Sequence, residues 1–329
     1  MADYKAIKGR TIETVAGDPS VLQAGDIWYS STAKKIRGAK LAAGAWASST
    51  AVNTGRHGQG SAGQTTEACL IAGGIGGQQL NEVWNGSSWT EAGDFNTKHH
   101  YTGGFGTSTA AIMAGGVQAG LPDPNHVTKT EEWDNSSWTE VGDLNTTTIQ
   151  HIGAGVSSTS GIVVGGGGWA SSPLDTIHTK TESWNGSSWT EIGDLNTGKN
   201  ASGGDGIATA AIIAGGGPPS SHTATCETFD GSSWTEVSDL NTARFAPNLS
   251  GTTTSAVLFG GSGPHAITEQ WDGSSWTETA DLSTGRQHAG SSGESSGGAL
   301  CISGYSTANV TNVEEWTGPA VAAVTFTSS

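Results

Sequence analysis

The chain has 329 residues, a formal net charge of −16, 51 glycines and only 13% charged residues. Glycine at this level hints at low complexity, but an ordered recurrence of tryptophan and β-branched residues excludes a disordered chain. Residues 1–43 hold seven of the fourteen Lys and Arg against four of the thirty acids, so this head is near +3 and the remainder near −19. That balance argues against nucleic acid or insertion into an anionic membrane for the larger part.

The first ten residues are polar and charged with no apolar run behind them, so neither a signal peptide nor a membrane span is expected. Residues 1–25 show no period and read as linker or short strands. Residues 26–37 read as a small β-hairpin whose few apolar residues are Ile27, Trp28, Tyr29 and Ile36. Such a core is too small to fold alone. It should pack on the rest of the chain or on a partner, with Lys34, Lys35, Arg37 and Trp28 as candidate docking residues.

From residue 44 the chain repeats. TESWNGSSWTEIGDLNT at 181–197 has near copies at 81–97, 130–146, 226–242 and 268–284, and fixed-period self-similarity signals a repeat architecture. Glu and an aromatic sit two apart in each copy (Glu82/Trp84, Glu131/Trp133, Glu182/Trp184, Glu227/Phe229, Glu269/Trp271), which is strand period. Asn-Gly or Asp-Gly follows in four copies and Asp134-Asn135 in the fifth, the pairs that tight hairpin turns favour. A second strand then starts at Trp89, Trp138, Trp189, Trp234 or Trp276.

Six apolar runs closed by glycine, such as Leu70 to Gly74 and Ile162 to Gly166, mark six units of about 46 residues. With a weaker Gly/Ser/Thr-rich strand before each run, every unit has four antiparallel strands, the size of a propeller blade. The sixth unit stops after Trp316. The stretch from Trp46 to Thr54 reproduces the spacing of Trp89 to Thr97, so an N-terminal strand can complete the last blade and close the ring. The expected fold is therefore all-β: a six-bladed propeller over 44–318, an N-terminal anchoring segment with its hairpin over 1–43, and a tail over 319–329. Eleven of the thirteen tryptophans fall on the repeated aromatic positions and are expected to pack between blades; Trp28 and Trp169 do not.

Two loops between second and third strands are long: Val117 to Lys129, with His126, and Gly167 to Lys180, with Trp169 and His178. Neighbouring insertions on a rigid ring are where binding tends to sit. Ten residues after each fourth-strand Trp, where the chain crosses to the next blade, stand Arg56, His99, Thr148, Lys199, Arg244 and Arg286. Arg forks on that face could take anionic or sugar ligands; they could equally bond backbone carbonyls of the neighbouring blade. The ligand-binding candidates are thus Arg56, His99, Lys199, Arg244, Arg286, Trp169, His126 and His178.

Cys69, Cys226 and Cys301 show no disulfide or metal framework and are expected as buried free thiols. His99 and His100 are adjacent on a strand and point to opposite faces, a poor chelate. No calcium-loop spacing occurs. No metal and no cofactor are expected.

The apolar strand ending in Gly-Gly, the Glu-x-aromatic strand, the turn, the Trp and the Thr-x-Arg-like crossing together resemble kelch repeats over 44–318. That resemblance implies that the crossing positions Arg56, Arg244 and Arg286 face a central channel where ligands bind; His99, Thr148 and Lys199 depart from the pattern. The wording WDGSSWTE, GDIWYSST and EEWTGP also resembles kelch-type virion structural proteins of tailed, particularly marine, bacteriophages. This implies a non-enzymatic fibre, baseplate or head-decoration protein on the virion surface, assembled in the host cytoplasm. It would be present in multiple copies, held to other virion proteins by its N-terminal segment, and would adhere to a host-surface glycan or protein. The alternatives are a glycan-acting enzyme on the same scaffold and an intracellular kelch protein-binding module. Against the enzyme, Asp272 lies four residues before Trp276 where a sialidase Asp box needs five; against the intracellular module, no adaptor domain accompanies the repeats.

Overall fold

The computed structural model describes residues 12–76, 79–121, 125–167, 177–217, 221–263 and 265–326. Among them every regular element is a strand, and no helix is long and apolar enough to cross a membrane. The chain divides into two compact units, Met1–Gly44 with Gly318–Ser329, and Ala45–Thr317.

The smaller unit is a four-stranded sheet. Ile27–Ser30 and Lys35–Ala42 form the antiparallel hairpin; Glu13–Val15 pairs parallel to the first of these and Ala320–Thr325 antiparallel to the second. The tail is thus a strand of the head sheet. Trp28 is buried while its neighbours Ile27 and Tyr29, on the opposite face, are exposed.

The larger unit holds six four-stranded sheets. In sequence order their third strands are Asn81–Trp84, Thr130–Trp133, Thr181–Trp184, Cys226–Phe229, Thr268–Trp271 and Val313–Thr317. Each pairs with a second strand made of an apolar run, such as Ala68–Ala72 or Ser160–Val164, and five pair with the fourth strand that follows them. The last pairs instead with Ala45–Ser49, with Trp316 opposite Trp46. A further two-stranded ladder joins His99–His100 to Val117–Gln118.

The hairpin motif folds for a local reason. In every copy the two repeated aromatics face one another across the ladder, ring centroids 5.1 to 5.5 Å apart. The turn between them has one left-handed residue, Gly86, Gly186, Gly231 or Gly273, and Asn135 takes this conformation at φ 75° in the one copy without glycine. The residue before it caps the turn: Asp134 Oδ1 accepts the N–H groups of Ser136 and Ser137 at 2.9 and 2.8 Å.

The core is cut into six slabs, each between two successive sheets. Leu70 and Ala72 meet Phe95, Met113 and Trp138 in one; Val257 and Phe259 meet Cys301 and Trp316 in another. The slab that joins the last sheet to the first contains Leu300, Ile302 and Val313 with Ile71, Trp84 and Trp89. Each sheet therefore covers an apolar face of its neighbour on both sides.

The strand Ala45–Ser49 is what completes the sixth sheet. A fragment of residues 45–317 is expected to unfold cooperatively in urea, read by tryptophan fluorescence. A fragment of residues 55–317 also lacks Trp46 and Val52 and should unfold at a much lower midpoint, and equal midpoints would show that this strand does not hold the ring.

Candidate functional site

The crossing cations are buried inside the wall. Arg56, Arg244 and Arg286 are each 0% exposed. Arg244 bonds the Ile267 carbonyl at 2.6 Å, the Gly260 carbonyl at 3.3 Å and the Glu269 carboxylate at 2.5 Å. Arg56 does the same with Leu80, Gly73 and Glu82, and Arg286 with Asn312, Ser303 and Glu314. Desolvation lowers the Arg56 and Arg244 pKa values, and the facing carboxylate partly offsets it. Lys199 is 1% exposed and donates to the Thr225 carbonyl and hydroxyl at 2.9 and 2.5 Å. His99 is 2% exposed, bonds Thr97 and is held neutral by burial, its pKa down at about 4. The expectation that Arg56, His99, Lys199, Arg244 and Arg286 receive a ligand meets side chains that are buried in the wall and, Arg244 Nε apart, make their bonds inside it.

What they serve is the repeated glutamate. Each third-strand Glu accepts backbone N–H groups from the crossing of the preceding sheet. Glu182 takes Asn145 N–H and its side-chain amide, both at 2.8 Å, and Thr146 N–H at 2.9 Å. Glu227, Glu269 and Glu82 are held likewise. Arg56, Arg244 and Arg286 bond their glutamate directly, and Lys199 bonds Thr225 while Glu227 acts on it only through space, opposing the burial that lowers its pKa; the other two crossings carry His99 or Thr148. In those two a lysine, Lys129 or Lys180, enters the third strand and pairs with Glu140 or Glu191 of the fourth.

Of the loop candidates, Trp169 lies outside the described residues. His126 sits in an isolated bridge with Val117, and His178 N–H bonds Gly166 O at 2.7 Å. His178 is half-buried, and burial, then Lys180, then His126 lower its pKa. Among the described residues no group of three or more His, Cys, Asp or Glu is arranged to hold a metal. All three cysteines are free and buried, and burial pushes Cys301 up to about 11. In the head, Trp28 is buried and so is corrected as a docking residue; Arg37 pairs with Asp18 at 2.7 Å, and Lys34 and Lys35 are exposed.

The open feature is the centre of the ring. Two residues beyond each crossing position come Gly58, Tyr101, Gln150, Ala201, Ala246 and His288, all left-handed with φ between 49° and 62°. Their backbones form a closed cycle: Tyr101 N–H donates to Gly58 O, Gln150 to Tyr101, Ala201 to Gln150, Ala246 to Ala201, His288 to Ala246 and Gly58 to His288, at 2.5 to 3.3 Å. The next residue in each crossing lines a cavity of about 80 Å³. These residues are Gln59, Thr102, His151 and Ser202 on one side and Pro247 and Ala289 on the other. A second cavity of about 130 Å³ shares this lining and reaches Asp205, whose carboxylate accepts Gly206 and Gly251 N–H and is pushed up to about 7 by burial. Tyr101 and His288, which line the first cavity, belong to a connected set of rings with His57, Phe245 and Tyr305, centroids 5.1 to 6.3 Å apart.

No family model matches the chain, and no curated protein matches it. Among solved structures it is similar to that described as the structure of YjhT, at 12% identity and a TM-score of 0.68, over 83% of this chain and 99% of that one. Identity this low carries the fold alone. The larger unit folds as a β-propeller.

The sequence reading missed the cavity residues because it took the repeat's constant positions as its guide. In a propeller built of near-identical blades, positions that differ from copy to copy are those the fold leaves unconstrained. Gln59, Thr102, His151, Ser202, Pro247 and Ala289 occupy one equivalent position with six different side chains.

Arg244→Thr copies the crossing at Thr148 and should lower stability by about 3–5 kcal/mol, the usual effect of removing one partner of a buried pair. Adding Ile267→Lys copies Lys180 and should return about 1 kcal/mol, as a partly exposed pair does; a double-mutant cycle with zero coupling would refute the idea that each blade needs one cation beside its glutamate.

His151 sets an acid limit. Its Nε2 lies 2.8 Å from Gly103 N–H and 3.0 Å from Ala114 O, and burial holds its pKa at about 4. Because the folded pKa lies below the unfolded one, the contribution is complete above about pH 6.5 and is lost as pH falls toward 4, by about 3 kcal/mol. Urea titrations from pH 4 to 8 should show a shallower acid-side fall for His151→Gln than for the parent.

Proposed function

We propose that this chain is a non-enzymatic virion structural protein of a tailed bacteriophage, a fibre, baseplate or head-decoration component. It displays a six-bladed, kelch-type propeller for adhesion to a host surface. The six sheets, the six apolar slabs and the closed cycle of six backbone bonds support that blade number. The wording of the repeats supports the kelch and phage resemblance.

The observation that carries the reading is a division of surfaces. Of the large apolar side chains exposed among the described residues, Val21, Ile27, Tyr29, Ile36, Leu41 and Phe326 belong to the small head unit, against Leu121, Val156 and Ile207 in the whole propeller. Ile27, Tyr29 and Ile36 share one face of the head sheet, and the Phe326 ring lies over Gly38 on that face. An apolar sheet face beside Lys34, Lys35 and Lys40 suits attachment to other proteins. The propeller keeps a polar Ser/Thr/Gly surface suited to exposure.

The test is immuno-electron microscopy of phage particles from the source culture with antibody against the propeller. Label on heads or tails is expected, and its position separates decoration from receptor binding. A chain carrying Ile27→Ser, Tyr29→Ser and Phe326→Ser should fold but be missing from particles; label absent from all particles, with free protein in the lysate, would remove this function.

A further inference from the structure

The propeller mouth carries three buried polar atoms with no hydrogen-bond partner: Gln59 Oε1, Thr102 Oγ1 and His151 Nδ1. Their residues are 6%, 8% and 7% exposed, come from three successive blades and line the same cavity. Buried polar groups are normally satisfied, so three unpaired atoms on residues that line one cavity mark a place where polar partners are missing. The cavity of about 80 Å³ has room for several hydroxyl-sized groups, since one water needs about 10–15 Å³.

The chemistry of that partner follows from what surrounds it. No Lys or Arg lines either central cavity among the described residues, because the crossing cations are spent on the glutamates. The imidazoles of His151 and His288 are held neutral by burial, and the deeper cavity reaches the Asp205 carboxyl. An anionic group would enter a site with no positive charge and a carboxyl below. The lining is instead two-sided, with hydrogen-bonding Gln59, Thr102, His151 and Ser202 facing apolar Pro247 and Ala289, beneath a rim of rings from Tyr101, His288, His57 and Tyr305. A pyranose has this profile, with hydroxyls along its edge and C–H groups on its faces that pack on aromatic rings.

We infer that the propeller mouth binds the terminal uncharged pyranose of a glycan, its hydroxyl edge entering between Gln59, Thr102 and His151 and its C–H face against the Tyr101 and His288 rim. This rests on the adhesion reading and names the ligand class of that surface. It replaces anionic recognition by the crossing arginines.

The test is saturation-transfer NMR and calorimetry on the full chain. The probes are methyl glycosides of glucose, galactose and mannose, neutral oligosaccharides ending in the same sugars, and N-acetylneuraminic acid. At least one neutral series should bind, with transfer strongest at the terminal residue, and N-acetylneuraminic acid should not. Gln59→Leu should weaken binding at least tenfold with a modest change in the unfolding midpoint, and Tyr101→Ala should weaken it as much while also lowering the midpoint, since Tyr101 packs on Val117 and Ile149. Thr102→Val, which removes one hydroxyl with little change of shape, should weaken it severalfold should either of those variants fail to fold. Binding to no neutral sugar at millimolar concentration, preference for the anionic sugar, or affinity unchanged in folded variants would each overturn the inference, the orphan atoms then being bonded by water alone. Labelled particles whose protein binds none of the neutral sugars would remove this inference and leave the virion assignment; sugar binding by a protein absent from particles would do the reverse.

Discussion

The structure depends on one buried carboxylate per blade. The third-strand glutamate sits where two sheets meet and accepts the N–H groups of the crossing that enters its own blade, as Glu182 does from Asn145 and Thr146 and Glu269 from Asn241 and Thr242. A crossing is irregular backbone, and its donors would be orphaned on burial. Several charge-assisted bonds to one carboxylate satisfy them together. The asparagine side chain adds a tie to the fourth strand, from Asn145 to Trp189 O at 3.1 Å and from Asn241 to Trp276 O at 2.9 Å. The words Glu-x-Trp and Leu-Asn-Thr, 27 to 37 residues apart, are thus two halves of one contact.

A closed ring then fixes the conformation at its centre. The glycine that closes each apolar run donates to the crossing residue of the next blade, as Gly166 does to Lys199 O at 2.7 Å and Gly304, after Ser303, to Arg56 O at 2.8 Å. At Gly165 a Cβ would lie 2.6 Å from Lys199 O, with φ at 68°, so both space and backbone demand glycine. Beyond it the chain turns left-handed and bonds its counterpart in the adjoining crossing. The side chains that follow stand on a fully bonded backbone frame, to which some add bonds of their own, as His151 does with Gly103 N–H and Gln59 with Ile302 O. That is why Gln, Thr, His, Ser, Pro and Ala can alternate there, and why a binding surface can change without unfolding the ring.

How much was legible follows from where each signal lives. Strands, hairpins and the closing role of Trp46 could be read because they are local or recur in register: period-two alternation, Asn-Gly turns, and a spacing copied from Trp89 to Asn96. The pairing of Arg56 with Glu82 could not. The sequence shows a cation at a crossing and a glutamate in a strand, but only the curvature of the blade puts them in contact. Reading the arginines as ligand residues and the glutamates as scaffold split one structural pair between two roles. The pairing of the tail was not legible for a related reason, since Ala320–Thr325 pairs with Lys35–Ala42 across nearly the whole length of the chain, and no turn signal links them. The channel lining was hidden because its residues share no type, and a search for constant motifs passes over such positions.

The exchange of cations between blades shows how far the repeat is constrained. Where the crossing supplies Arg or Lys, the third strand is entered through Leu80, Thr225, Ile267 or Asn312; where it supplies His99 or Thr148, the entry is Lys129 or Lys180. Coulomb attraction falls slowly with distance in a poorly solvated wall, so a lysine near the blade's outer edge still favours the buried carboxylate. Glu131 accordingly raises the Lys129 pKa, though less than the adjacent Glu140 does. Charge near the carboxylate is retained in each blade while the residue that supplies it moves. In a propeller near −19 this leaves almost no lysine or arginine free for anionic ligands.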